Sequence, residues 1–283
     1  MKLAQVRVSA IGVLSAAIVH PNGYRLIIGH TVDSLIRQAE EEERSLAELA
    51  EELALVDPVA VELAMPVTPS EVWACGCSYA PSAEFRDGEL GEGEGPYAYV
   101  SDPAHRPELF FKGTARVCVG PNEPIGIRPD STFTAPEPEL GLVLNSKAEI
   151  VGYTLGNDVS AWDIERENAL YLPQSKVYDN CCALGPFLVT PDEIDDPYQL
   201  EMTCSIRRRG ELTFEGKAST SQLRRKFEDL VEYVGRGNSI PAATILLTGT
   251  GIIVTQEAAL APGDVVTIDV PEIGSLVNSA IFV

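Results

Sequence analysis

The residues of this chain that could do chemistry are carboxylates and lysines. The segment APEPELGLVLN places Glu137 and Glu139 two apart at the head of an apolar run. Side chains alternate faces along a strand, so both carboxylates point the same way. On a wet face such a pair is ordinary; on a buried face mutual repulsion and lost hydration call for protonation or a cation. The next apolar run, EIVGYTLGNDVSAWD, ends in Asn157-Asp158 where a helix is expected. An Asp at that junction serves as a helix N-cap. Alternatively, because sequential strands are usually neighbours, it converges with Glu137 and Glu139 on one point. Three carboxylates suit a hard divalent cation such as Mg²⁺, leaving coordination positions for water and a chelating substrate. Lys176, in YLPQSKVYDN, sits between Ser175 and Val177 on an expected extended stretch. Taken alone it reads as a surface lysine.

Other chemistries are poorly supplied. The only histidines are His20, His30 and His105, and no two share a helix turn, which disfavours a histidine-built zinc or haem site. The six cysteines, at 75, 77, 118, 181, 182 and 204, form a CxC, a CC and two singles. Without CxxC pairs they read as buried reduced thiols. Lys and Arg total 21 against 42 Asp and Glu, a formal net charge of −21. That excess repels phosphate backbones and anionic lipid, so neither nucleic acid nor membrane is expected as a partner. No run approaches the roughly 18 apolar residues of a membrane helix, and the N-terminus lacks the charged start and unbroken apolar stretch of a signal peptide. A cytoplasmic protein is expected.

The elements that must position these residues are mostly strands. Residues 1–28 read as two or three short strands turning at Pro21-Asn22-Gly23. A helix is predicted from Thr31 to about Leu55, with Leu46, Leu49, Ala50 and Leu53 on its apolar face and Glu40 to Glu43 solvated. Prolines 58, 66 and 69 suggest a boundary near 65, dividing the 283 residues into a small N-terminal unit, 1–65, and a larger domain, 66–283. The larger part carries nine short apolar runs: EVWACG, ELFFKG, ELGLVLN, EIVGYTLG, GPFLVT, LEMTCSIRRRG, TILLTG, DVVTIDV and SLVNSAIFV. A later helix capped by Ser219 or Thr220 carries Leu223, Phe227, Leu230, Val231 and Val234. Alternating βαβ units are missing, so the fold class is α+β and predominantly β, with a small N-terminal α/β unit. The Gly- and Glu-rich stretch between Arg86 and Arg106 reads as a disordered loop or a lid.

APEPELGLVLN, then GYTLGNDVSAWDIERENALYLPQSKVYDNCCALGP, then ILLTGTG together resemble the fumarylacetoacetate hydrolase family over most of residues 70–283. The resemblance implies a mixed β-sandwich roll, a homodimer, and a 2-oxo acid substrate chelated to Mg²⁺ or Mn²⁺ held by Glu137, Glu139 and Asp158. It also implies Lys176 as a catalytic residue and a turn at Thr248, Gly249 and Thr250 that grips the substrate carboxylate.

Members that cleave carbon–carbon bonds usually carry a His-Glu pair that activates water. Here, in CSYAPSAEFRDGE, Tyr79 is kept but Ser82 and Phe85 stand at the His and Glu positions. Without that imidazole, hydrolysis loses its base. The segment is instead similar to a branch of sugar-acid dehydratases. Ser82, Glu84, Arg86, the run Arg106 to Lys112, and Lys176 fit that branch in register.

The resemblance therefore implies elimination of water from a 2-oxo-3-deoxy sugar acid such as 2-dehydro-3-deoxy-D-arabinonate. Lys176 would hold or make the enolate, and Glu84 would act as acid or base on the leaving side. Tyr79, Ser82, Arg86, Lys112, Gly249 and Thr250 would bind substrate. The alternatives are a hydrolase of acylpyruvates or 2,4-dioxo acids, and an inactive metal-binding member. One departure stands out: Trp162 occupies the position of a usual arginine. Lys112 is expected to supply compensating charge.

Overall fold

All nine apolar runs are strands in the computed structural model, which describes residues 1–8, 12–90 and 95–283. A further strand, Glu211–Ser219, hairpins back onto Glu201–Arg208. It is a polar, exposed edge strand, so no apolar run marks it.

The large sheet runs in the order Gly23–Ile27, Leu14–His20, Lys2–Arg7, Cys182–Val189, Ile150–Asp158, Pro138–Leu144, Thr244–Leu247, Val72–Gly76, Glu108–Gly113. Lys2–Arg7 pairs antiparallel with Cys182–Val189, so the strands of residues 1–65 extend the sheet of the larger part. A five-stranded sheet, which includes Glu201–Arg208, Val265–Val270 and Gly274–Phe282, packs across it.

Both faces of the large sheet are covered. Leu140, Leu142 and Leu144 share one apolar cluster with Cys204, Ile206, Val266 and Ile268 of the smaller sheet. Val143, Leu184 and Ile245 join Leu35, Ile36 and Leu49 of the N-terminal helices on the other face. Burial on both faces explains why Pro138–Leu144 is buried at every position. A carboxylate at its head is therefore an interior charge, and the wet-face reading of Glu137 and Glu139 is removed.

The helices depart from the sequence expectation in several places. The helix predicted over 31–55 is two: Val32–Glu41, capped by Thr31, and Leu46–Leu53, where Ser45 accepts from Glu48 N at 3.1 Å. The acidic run ends the first helix, where like charge meets the negative helix terminus, and Glu43 turns left-handed at φ 52°. Ser219 caps only a 3₁₀ turn, Thr220–Gln222, and the α-helix begins later, at Phe227–Gly235. The expected loop or lid takes in the end of helix Ala80–Leu90 and the whole of helix Pro96–Ser101; residues 91–94 fall outside those described. Among the described residues no helix is long and apolar enough to cross a membrane.

Candidate active site

The carboxylate strand and its neighbour pair in antiparallel register, with Pro138 opposite Asn157 and Glu139 opposite Gly156. Asp158 N donates to Glu137 O at 2.9 Å, fixing the end of the ladder. Glu137, Glu139 and Asp158 are all buried, and one oxygen of each lies within 4.8 Å of the others. Asp158 is not a helix cap, since the following helix, Trp162–Glu167, starts beyond it.

Each carboxylate has its own support. Glu139 Oε2 accepts from Gly249 N at 2.6 Å, and Glu137 Oε1 accepts from Trp162 Nε1. Lys176 Nζ donates to Glu137 Oε2 and Asp158 Oδ2, both at 2.9 Å, and to Ser160 Oγ at 2.7 Å. Lys112 Nζ lies against Asp158 Oδ1 and donates to the carbonyls of Val159 at 3.1 Å and Lys176 at 2.6 Å.

Burial and the charges of Asp158 and Glu137 push Glu139 well above the usual carboxylate range. Burial would raise Asp158 too, but the two lysines hold it below that range. Burial likewise works against the Lys176 ammonium, yet Asp158, Glu137 and Glu165 together keep it firmly protonated.

A cavity opens over Glu137 and Lys176. Its wall includes two acids that the sequence reading did not single out, Glu108 and Glu165. Arg86 Nη2 donates to Glu165 Oε1 at 2.7 Å. Burial, then the charge of Glu165, raises Glu108 above its ordinary range. A signal for Glu108 was present. Glu108, Phe110 and Lys112 share one strand face, which puts the acid on the cavity wall and the lysine in the interior. Glu165 lies one helical turn from Trp162, but Asp163 and Glu167 beside it gave no basis for choosing.

The other expected residues are placed as follows. Ser82 and Thr250 line the cavity, with Ser82 Oγ donating to Thr250 O at 2.5 Å. Arg86 also lines it. Tyr79 is buried beneath the Thr248 turn, where burial and Glu139 raise its hydroxyl. Gly249, at φ +87°, uses its N–H on Glu139 rather than facing the cavity.

Lys112 is fully buried behind Asp158, so it serves the carboxylate centre and not the cavity. Lys176 ends a short helix, Leu172–Lys176, in place of the extended stretch expected. Glu84 is turned outward: its side chain is 71% exposed and pairs with Arg224 Nη2 at 3.2 Å. The structure does not bring Glu84 to the site, because Ser82 and Arg86 take the inward positions of their helix.

The donor set fits a hard divalent cation. Five carboxylates, Glu108, Glu137, Glu139, Asp158 and Glu165, meet three cations, Arg86, Lys112 and Lys176.

A mixed β-fold with an interior carboxylate triad opening on a polar cavity is the arrangement of an enzyme built for divalent-metal chemistry. Residues 72–280 match the family described as Fumarylacetoacetate (FAA) hydrolase C-terminal, and the chain belongs to that family. It is 45% identical over 239 residues to a probable 2-keto-3-deoxyxylonate dehydratase of Haloferax volcanii, covering 84% of this chain and 82% of that protein. It is 46% identical over 221 residues to a 2-dehydro-3-deoxy-D-arabinonate dehydratase of Saccharolobus solfataricus, covering 77% and 74%. A solved 2-keto-3-deoxy-D-arabinonate dehydratase, complexed with magnesium and 2,5-dioxopentanoate, superposes with a TM-score of 0.84 at 38% identity over 100% of this chain and 99% of that one.

Proposed function

We propose that this chain is a Mg²⁺- or Mn²⁺-dependent dehydratase that eliminates water from a 2-oxo-3-deoxy sugar acid such as 2-dehydro-3-deoxy-D-arabinonate. One observation carries the reading: the buried triad opens, through Glu137, into a cavity holding a second carboxylate pair in two different environments. The kinship to two dehydratases, and to one solved with magnesium, supports it.

A divalent ion on Glu137, Glu139 and Asp158 would supply Lewis-acid polarisation of a 2-oxo acid. The remaining work falls to side chains. Lys176 holds a proton and a positive charge where enolate charge develops. Glu165, ion-paired to Arg86, takes the C3 proton. Glu108, whose environment favours its neutral form, gives its proton to the C4 hydroxyl, which leaves as water as the C3–C4 double bond forms. Phe85, Phe110 and Trp162 wall the cavity against bulk water. Ser82, Arg86 and Thr250 are placed to orient the substrate.

Hydrolysis of an acylpyruvate or 2,4-dioxo acid would require a base near Ser82, whose hydroxyl is instead spent on Thr250 O. Family membership supports a homodimer, and the six unpaired cysteines suit a reducing cytoplasm. Product analysis with Mg²⁺ tests the reading. A single chain lighter by one water is expected. Pyruvate plus a second acid from a dioxo substrate, or binding of pyruvate without any turnover, would overturn it.

A further inference from the structure

Cys118 and Cys182 lie directly opposite each other where the short strand Cys118–Val119 runs parallel to Cys182–Val189. Cα atoms in register on adjacent strands are about 4.8 Å apart, inside the span of about 4.4–6.8 Å that a disulfide bridges. Residues in register on adjacent strands share a face, and Cys118 packs against the apolar cluster that contains Cys182. Cys118 is partly exposed, with its Sγ donating to Thr114 O at 3.3 Å, while Cys182 is fully buried. The pair therefore combines an approachable sulfur with a second, buried one directly across the strand pair. This is the arrangement of an attacking and a resolving thiol. The centre described above uses neither, although Cys182 pairs with Asp158 across the next strand.

We propose that Cys118 and Cys182 form a peroxide-oxidisable dithiol site that closes to a disulfide. The Cys118 sulfur, as its thiolate, attacks one peroxide oxygen. The O–O bond breaks, the other oxygen leaves as hydroxide and takes up the proton that the Cys118 thiol released, giving water, and Cys118 becomes a sulfenic acid. The Cys182 sulfur then attacks the Cys118 sulfur, forming the S–S bond. The S–O bond breaks, and hydroxide leaves as a second water with the thiol proton. Two thiols lose two electrons, and one peroxide is reduced to two waters.

Whole protein treated with hydrogen peroxide, then alkylated in denaturant and peptide-mapped, tests this. The expected result is two fewer titratable thiols per chain and a linked peptide pair containing Cys118 and Cys182, two hydrogens lighter than the free peptides. Dithiothreitol should restore both thiols. In Cys182→Ser, Cys118 should progress to sulfinic acid with no disulfide. In Cys118→Ser, thiol loss at position 182 should be at least tenfold slower. A disulfide mapped to Cys75–Cys77, or irreversible oxidation of Cys118 in the unaltered chain, would overturn the proposal.

Discussion

The Arg86 guanidinium stands over the Trp162 indole at 4.6 Å from the ring centroid. Trp162 occupies the position where an arginine was expected, and its Nε1 serves Glu137 directly. Positive charge thus reaches the cavity from the helix Ala80–Leu90, while the indole orients a metal-candidate carboxylate. Lys112, the compensating cation expected from sequence, lies on the far side of Asp158.

Trp162→Phe keeps the ring and removes the donor to Glu137. Loss of such a supporting hydrogen bond should weaken divalent-ion affinity about 10- to 100-fold. Calorimetric titration with Mn²⁺ would show it, and unchanged affinity would contradict the role given to the indole.

The Glu108 carboxyl stands against Gly76, where an added Cβ would lie 2.0 Å from Oε2. Only the far end of a side chain blocks that space, so Gly76→Ala should displace the acid without straining the backbone. Turnover should fall with little change in melting temperature. A fully active variant would remove Glu108 from the chemistry.

The raised Glu108 also sets a pH dependence. Its protonated form is fully present below the ordinary carboxylate value of 4.5 and is lost as pH rises through the higher folded value. The native state binds this proton more tightly than the unfolded chain, so stability declines over the same interval. Turnover should therefore fall on the alkaline side. Glu108→Gln should lower kcat by about 10²- to 10⁴-fold and flatten the decline in melting temperature. A pH profile of the variant with that decline unchanged would assign it elsewhere.

Lys112→Met leaves Asp158 buried beside one lysine in place of two. Removing one partner of a buried ion pair costs about 3–5 kcal/mol. Urea unfolding should show a loss of that order, and a loss below about 1 kcal/mol would mean that the lysine is not holding the carboxylate.

Glu84→Ala tests the outward placement of that residue. A surface substitution of this kind should change stability by no more than about 0.5 kcal/mol, with turnover within about twofold of the unaltered chain. A large loss of activity would bring Glu84 back into the site.

The strands were legible because their apolar runs end at Gly, Pro, Asn and Asp. The triad was legible because alternation along one strand and adjacency of the next suffice to gather it. Glu84 and Lys176 show where this stops. The facing of a helical side chain depends on packing against distant elements, here the Thr248–Thr250 turn, which local spacing does not report. The break near Glu43 and the late start of the helix at Phe227 are likewise set by charge at the helix end and by backbone geometry that residue propensity does not carry.

The most direct test is calorimetric titration of the metal-free protein with Mg²⁺, beside the Glu139→Gln variant. One ion per chain should bind the unaltered protein, and the variant should bind at least about a hundredfold more weakly. Equal binding by both proteins, or none by either, would contradict the claim that Glu137, Glu139 and Asp158 together hold the cation.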